Sequence, residues 1–154
     1  MSASSRVAAT RYEREFGRPY RRTSHSIATE VHALREHPGV SDVEAWRHVI
    51  SQTIDTYESR LTWGTRQDAI STFEDAPELT GRPGIDAGVA ALAEYLAERD
   101  GWTVPTWALD PARACEGPWY VRDLPSVRAR AQAETPAPFR RRGVFITSGA
   151  LERV

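Results

Sequence analysis

The sequence predicts an all-α fold, a compact helical domain with a basic N-terminal arm and an irregular C-terminal segment rich in Trp and Pro. The chain of 154 residues is 40% hydrophobic and 27% charged, which is typical of one globular domain with its own core. Apolar side chains recur at helical spacing over residues 43–61, and an alanine-rich helical pattern covers residues 86–100. We expect the arm at residues 1–24 and a single helical domain at residues 25–154.

The N-terminal arm mixes arginine with aromatic residues. Residues 1–22 contain six Arg, two Glu and three aromatic residues, and the Gly-Arg-Pro sequence at residues 17–19 should stop any helix there. We predict that the arm is mobile or ordered by a partner. Its composition suits phosphate contacts and base stacking, with Arg18, Arg21 and Arg22 as the candidate nucleic-acid contacts. The alternative is a solvated tail, or one folded back on the acidic middle of the chain.

A short helix is expected directly after the arm. Ser26 can cap its N-terminus, and Ile27, Val31 and Leu34 would lie on one side of it. The His-Pro-Gly sequence at residues 37–39 should end it.

The strongest helix pattern begins at Ser41. Ser41 and Glu44 have the spacing of a capping box, in which each side chain binds a backbone amide of the other residue. The apolar residues that follow at helical spacing are Val43, Trp46, Val49, Ile50, Ile54, Tyr57 and Leu61.

Two more helices are predicted in the middle of the chain. A short one is expected over Gln67–Glu74, followed by a break over residues 76–84. The second runs from Asp86 to Asp100, with Gly101 past its end. Its alanines should allow neighbouring helices to approach closely.

Residues 102–138 differ in kind, because they contain six Pro and three Trp. Frequent prolines forbid long helices and leave irregular segments that large rings must hold against the core. One helix fits at about Ser126–Glu134, after Pro125. Residues 144–146 are expected to form a short extended piece or part of a turn.

The composition excludes several classes of function. The 20 basic residues are all Arg, Asn is absent and Cys115 is the one cysteine. Without Lys the chain cannot form a Schiff base or a phosphate-binding loop, and a lone Cys gives neither a disulfide nor a CxxC zinc site. We therefore expect no cofactor. No apolar stretch approaches the roughly 20 residues that span a bilayer, and no signal peptide is recognisable, so the expectation is a cytoplasmic protein without a membrane partner.

The histidines do not predict a metal site. His32 and Glu36 are the only plausible local pair, and no third ligand is indicated. Motifs of the GxSxG, HExxH and GxGxxG type are absent. An Arg-to-His ribonuclease pair would need Arg18 and His25 on one helix face, which Pro19 prevents. We expect neither a catalytic nor a metal-binding residue.

The segment from residue 31 to residue 50 has the outline of a helix-turn-helix motif. Pro38 falls where the turn should be tight and apolar, and Asp42 and Glu44 would repel DNA phosphates at the start of the second helix. Ordinary helix packing is the preferred interpretation.

Charge is distributed unevenly along the chain, which can steer a charged partner toward one face. Residues 42–100 hold twelve acids and five Arg, whereas residues 101–154 hold eight Arg and five acids. Within the basic end, Arg140, Arg141 and Arg142 are consecutive. Since consecutive helical residues point about 100° apart, the three guanidiniums should not converge on one ligand. One or two are expected to pair with the acidic middle, at Asp86 or Glu94; the alternative is a carboxylate or phosphate of a partner.

The C-terminal half resembles a known group of sequences. The segments DAGVAALAEYLAERDGW, PTWALDPAR, PWYVRDLPSVRARA and TPAPFRRRGVFITSGALERV follow one another from residue 86 to residue 154. In this order they resemble a group of uncharacterised actinobacterial helical proteins, often found beside nucleotidyltransferase-like toxins or fused to antitoxin-type DNA-binding domains. The resemblance implies an antitoxin-like or accessory binding role.

Three functional hypotheses follow. The leading one is a non-catalytic protein that binds another macromolecule, a toxin-type enzyme above all, which it neutralises or scaffolds. The second is a nucleic-acid-binding regulator that uses the N-terminal arm, and the third is a small enzyme of unrecognised type. Aromatic and arginine residues are enriched at protein interfaces, so the candidate partner-binding residues are Trp107, Trp119, Tyr120, Phe139, Arg140, Arg141 and Arg142.

Overall fold

The structure is a computed structural model that describes residues 8–152. The first seven residues of the predicted arm and the last two of the predicted domain lie outside this range. The described chain is mostly helical, as expected. Its helices are α1 Arg11–Phe16, α2 Ile27–Arg35, α3 Asp42–Trp46, α4 Gln52–Trp63, α5 Arg66–Ile70, α6 Pro83–Asp100, α7 Pro125–Glu134 and α8 Ala137–Arg141. A π-helical segment covers Arg47–Ser51, and 3₁₀ turns cover Ser71–Phe73, Thr106–Leu109 and Ser148–Leu151.

Helix α6 lies at the centre of the fold. Every residue from Gly84 to Ala93 is buried, and α3, α8, the π-helical segment and the 3₁₀ turn at residues 106–109 all pack against it. Pro83 supplies the first residue of α6, where its missing N–H costs nothing, so the helix begins three residues before the predicted Asp86. Gly101 ends it in the left-handed conformation, with φ of 75°.

Two glycines of α6 allow close approach by tryptophan rings. A Cβ on Gly88 would lie 2.8 Å from the Trp46 ring, and a Cβ on Gly84 would lie 2.1 Å from the Trp119 ring. The absence of a side chain at these positions lets both rings lie directly on the helix backbone. The predicted close packing on α6 therefore depends on glycine as well as on alanine.

The long helix predicted from residue 43 to residue 61 is interrupted. The π-helical segment separates α3 from α4, and the consecutive residues Val49 and Ile50 within it are both fully buried. A π-helical turn takes up an additional residue and so rotates the apolar face that follows. At the start of α3, the Ser41 hydroxyl accepts a hydrogen bond of 3.2 Å from the Glu44 amide, which is one half of the predicted capping box.

The C-terminal part contains a small departure from an all-helical fold. Strands β1, Trp119–Tyr120, and β2, Val144–Phe145, pair in parallel, with Trp119 opposite Val144 and Tyr120 opposite Phe145. Strand β2 agrees with the extended piece expected there, and α7 agrees with the helix expected after Pro125. Nowhere in residues 8–152 does a helix combine the length and apolar character that crossing a membrane requires.

Candidate functional site

A cleft of about 360 Å³ lies between the π-helical segment, α7 and the chain that follows β2. We call it the α7 cleft. Its lining residues are Val43, Trp46, Arg47, Ser51, Val121, Arg122, Val127, Arg130, Ala131, Phe145, Ile146, Thr147, Gly149 and Ala150. They include three arginines, several apolar side chains and no acid. This combination gives the cleft an apolar surface with positive charge around it.

Two of the three cleft arginines have no partner in the described part of the chain. Arg47 and Arg122 are exposed, and neither side chain makes a hydrogen bond or ion pair within residues 8–152. Arg130 lies 3.5 Å from a carboxylate oxygen of Glu134. The Ser148 amide also donates to Glu134, over 2.9 Å, and this bond, with the charge of Arg130, lowers the pKa of the Glu134 carboxyl. The cleft therefore keeps a net positive charge.

Beside the cleft, two arginines and two aromatic rings form a layered cluster, which we call the arginine–aromatic stack. The rings of Tyr120 and Phe145 are stacked, with centroids 5.3 Å apart. The guanidinium of Arg128 lies 4.7 Å from the Tyr120 centroid, and that of Arg140 lies 5.4 Å from the Phe145 centroid. The β1–β2 register creates this cluster, since it places Tyr120 opposite Phe145. Gln132 donates a hydrogen bond of 3.0 Å to the Tyr120 hydroxyl.

Of the three consecutive arginines, Arg140 and Arg141 are exposed and Arg142 is mostly buried. Arg140 belongs to the stack, whereas Arg141 and Arg142 both pair with Glu94 of α6. Arg142 follows the last residue of α8 and has φ of −98°. Because it lies outside the helix, its side chain need not point about 100° away from that of Arg141, and both can reach Glu94. Burial raises the pKa of Glu94, but hydrogen bonds from Arg142 and Arg141 outweigh this effect and hold that pKa below its ordinary value.

The predicted pairing of the triplet with Glu94 is confirmed, and the alternative at Asp86 is wrong. Both the amide and the hydroxyl of Thr80 donate to Asp86, each over 2.8 Å. The Asp86 carboxylate thus closes the loop that leads into α6 and is not directed at the triplet.

The other predicted partner-binding residues support the core. Phe139 is fully buried and lies between the rings of Trp46 and Tyr95, at 6.2 and 6.1 Å. Trp119 is half-buried over α6, and Trp107 donates a hydrogen bond of 3.0 Å to the carbonyl of Phe73. Phe139 is thus fully buried and the Arg142 side chain is only 11% exposed, while their role as binding residues stays a prediction.

A second cavity, of about 460 Å³, lies where α1 packs against α4. We call it the α1–α4 cavity. The rings of Tyr12, Phe16, Tyr20 and Trp63 line it together with Arg21 and polar side chains of α4. Gly17 ends α1 with φ of 64°, in agreement with the stop expected at residues 17–19. The three candidate nucleic-acid contacts lie beyond this point.

Those three arginines differ in their surroundings. Arg18 and Arg21 are exposed and have no side-chain partner within residues 8–152. Arg22 donates a hydrogen bond to the Ser71 hydroxyl. Arg18 and Arg21 also line a shallow depression with Tyr12, Pro19 and Tyr20, next to the α1–α4 cavity.

The most buried polar groups serve the fold. The hydroxyl of Tyr57, which is fully buried, donates to Asp100 over 2.6 Å and accepts from the Trp102 indole over 2.8 Å. Burial raises the pKa of the Cys115 thiol. Within residues 8–152, no three side chains of His, Cys, Asp or Glu come together in a way that would hold a metal ion.

Sequence reasoning missed the residues that make the two cavities. Arg47, Arg122, Arg130 and Phe145 come from separate segments that only the tertiary fold brings together, and Trp63 was not assigned to any site. Comparisons with protein-family models, curated proteins and solved structures found no match to this chain.

Proposed function

We propose that this protein is a non-catalytic binding protein whose protein partner places an acidic segment in the α7 cleft. The observation that carries the proposal is a pair of arginines beside apolar cleft walls, Arg47 and Arg122, which have no partner among the described residues. Positive charges that line one cleft repel one another, and a carboxylate from a partner relieves that repulsion. Contacts with Arg47 and Arg122 would therefore add to the affinity of the partner, although these two side chains do not stabilise the free protein.

The chemistry of the cleft suits a peptide that carries both carboxylates and apolar side chains. Guanidinium groups bind carboxylates in a bidentate manner, and Arg47, Arg122 and Arg130 line the cleft. The apolar side chains Val127 and Phe145 offer contact surface for the apolar part of such a segment. Buried apolar centres with polar rims are typical of protein interfaces.

The arginine–aromatic stack extends the same surface. Tyr120 and Arg140 were both predicted to bind a partner, and they meet in the stack through Phe145. Arg128 is held by Asp123, with its Nε 3.1 Å from a carboxylate oxygen. A partner seated in the cleft would reach the stack, because Phe145 belongs to both.

An antitoxin-like role toward a nucleotidyltransferase-like toxin is our proposal for the biological setting. Its support is the sequence resemblance over residues 86–154, a range that includes Arg122, Arg130 and Phe145. In this setting the protein would neutralise or scaffold its partner, and a cytoplasmic location stays a prediction.

Co-expression with the product of the adjacent gene tests this proposal. The two proteins should elute together in size-exclusion chromatography, and the complex should melt at a higher temperature than the free protein, because a ligand that binds only the folded state stabilises it. Replacing both cleft arginines (Arg47→Ala with Arg122→Ala) should weaken the complex at least tenfold, as expected for the loss of two charge-assisted contacts.

The control is Arg35→Ala, an exposed arginine of α2 that pairs with Glu78 away from the cleft. It should leave the complex intact. If the wild-type protein elutes as a monomer beside its neighbour, or if the double variant binds as well as the wild type, the proposal fails.

A further inference from the structure

We infer that the α1–α4 cavity binds an unpaired base of single-stranded nucleic acid, while Arg18 and Arg21 hold the adjoining phosphates. The site is on different elements from the α7 cleft, so the inference stands independently of the proposed function. Three features of the cavity support it: the aromatic lining, the arginines beside it, and the positive charge beneath it.

The aromatic lining offers rings on which a base can stack. Phe16 is 50% exposed, and its ring lies 4.9 Å from that of Tyr12 and 5.8 Å from that of Trp63. Base stacking on aromatic side chains is a main source of affinity for single strands, and it tolerates any sequence. Exposed rings at the edge of a cavity are costly in water and gain from being covered.

The cavity has room for an unpaired base but does not admit a duplex. Its volume, about 460 Å³, is in the range of small-molecule sites. Bases in a duplex are already stacked and paired, so they would have to be extruded to enter such a site, whereas an unpaired base enters without that cost. Gln52 and Ser59 of α4 line the cavity as well and can bind the edge of the base.

The arginines beside the cavity are available to phosphates because the nearby acids are engaged. Glu13 accepts hydrogen bonds from the amides of Thr10 and Tyr20, and Glu15 pairs with Arg11. Arg18 and Arg21 have no side-chain partner within residues 8–152. Phosphate oxygens are the natural ligands for such guanidiniums.

A buried cation beneath the cavity adds to the positive charge. Arg60 is only 3% exposed, and its guanidinium binds the carbonyls of Thr23 and His25 and the hydroxyl of Thr72. Its Nε has no hydrogen-bond partner within residues 8–152. Burial lowers the pKa of Arg60, and the nearby charge of Asp68 offsets this only in part. The positive charge of Arg60 favours an anionic ligand at this end of the molecule. Asp55 also lines the cavity and is the one acid among its described lining residues, whereas Arg18 lines the adjoining depression.

Fluorescence anisotropy with labelled ten-nucleotide oligo(dT) and oligo(U), and with a ten-base-pair duplex as comparison, tests the inference. The single strands should bind more tightly than the duplex, and affinity should fall steeply with salt. A preference for oligo(U) or oligo(dT) would identify RNA or DNA as the ligand, since the 2′-hydroxyl distinguishes them. Equal binding of the duplex, or no binding at low salt, would overturn it.

Variants separate stacking from charge. Phe16→Ala should weaken binding about tenfold and leave the salt dependence unchanged. Arg18→Ala and Arg21→Ala should each weaken binding and make the salt dependence shallower by about one phosphate contact. Arg18 and Arg21 are exposed, so their variants should match the wild type in circular dichroism and melting temperature. Phe16→Ala also loses ring contacts with Tyr12 and Trp63, so its binding is measured well below its melting temperature, where circular dichroism should match the wild type.

Two control variants show where binding occurs. Arg35→Ala and Arg122→Ala remove exposed arginines that do not line the cavity and should leave oligonucleotide binding unchanged. If Arg122→Ala abolishes it and Phe16→Ala does not, the α1–α4 cavity is not the site. If the wild-type protein forms no complex with its protein partner but still binds oligonucleotides, the proposed function is rejected and the present inference is not.

Discussion

Glu94 of α6 and Arg142, the residue after α8, form an ion pair in which Oε2 lies 2.5 Å from Nη1, and their side chains are only 13% and 11% exposed. Arg142 also donates to the carbonyls of Pro138 and Ala108, over 2.9 and 3.0 Å. One guanidinium thus joins the central helix, α8 and the 3₁₀ turn at residues 106–109. Because β2 starts two residues after Arg142, these contacts position β2 and, through Phe145, the arginine–aromatic stack.

Replacing Glu94 by Gln should destabilise the protein by about 2–3 kcal/mol, because it leaves the mostly buried Arg142 without its counter-charge. Urea unfolding followed by circular dichroism measures the change. The matched control is Glu98→Gln, which removes an exposed acid 3.6 Å from Arg141 and should cost less than about 0.5 kcal/mol. Equal effects of the two substitutions would show that the Glu94 pair does not stabilise the fold.

The Glu94 pair should also make stability depend on pH. The pKa of the Glu94 carboxyl is lowered in the folded protein. The ionised carboxylate therefore stabilises the fold at pH values above the ordinary glutamate pKa of about 4.3. This stabilisation is lost as the pH falls through the pKa of Glu94 in the folded protein. The difference between wild type and Glu94→Gln should be largest above about pH 5 and shrink toward pH 3. Asp100, whose pKa is lowered chiefly by its hydrogen bond from Arg99, is present in both proteins and cancels. A difference that stays constant across this range would contradict the assignment.

The helices were predictable because local sequence determines them. Ser26 caps α2, Gly101 ends α6, and Pro125 begins α7, each through contacts within a few residues. The pairing of the arginine triplet with Glu94 could be anticipated from charge alone. The preference for Glu94 over Asp86 could not, because Asp86 is engaged by Thr80, a contact across a loop.

The cavities and the π-helical segment were beyond sequence reasoning. The α7 cleft combines Arg47 with Arg122, which are far apart in sequence, and the two-residue strands that bring Tyr120 onto Phe145 are too short to leave a periodic pattern. A helical pattern over residues 43–61 does not reveal one additional residue in a turn. The ring of Trp63 meets α1 only because α1 folds back onto α4.

Gly88→Ala should destabilise the protein by about 1–3 kcal/mol through overpacking, even though alanine favours helices by about 1 kcal/mol over glycine. The new methyl would lie 2.8 Å from the Trp46 ring. Trp46 cannot easily withdraw, because it is 3% exposed and its indole N–H donates to the Ala150 carbonyl over 3.1 Å. Thermal and urea unfolding measure the change. Gly39→Ala is the control, since nothing lies within 4 Å of its added Cβ; a stabilised Gly88→Ala would mean that the ring moves freely.

Tyr57→Phe should cost about 1–3 kcal/mol, because it removes one buried oxygen that serves two half-buried partners. The ring volume is kept, so packing against Phe73 and Trp102 is unchanged. What is lost is the hydrogen bond to Asp100 and the acceptor for the Trp102 indole, which leaves a half-buried N–H without a partner. Urea unfolding gives the cost, and a change in Trp fluorescence should accompany it. Tyr95→Phe is the matched control, as the Tyr95 hydroxyl has no hydrogen-bond partner within residues 8–152; if both substitutions cost the same, the Tyr57 hydroxyl contributes nothing specific to stability.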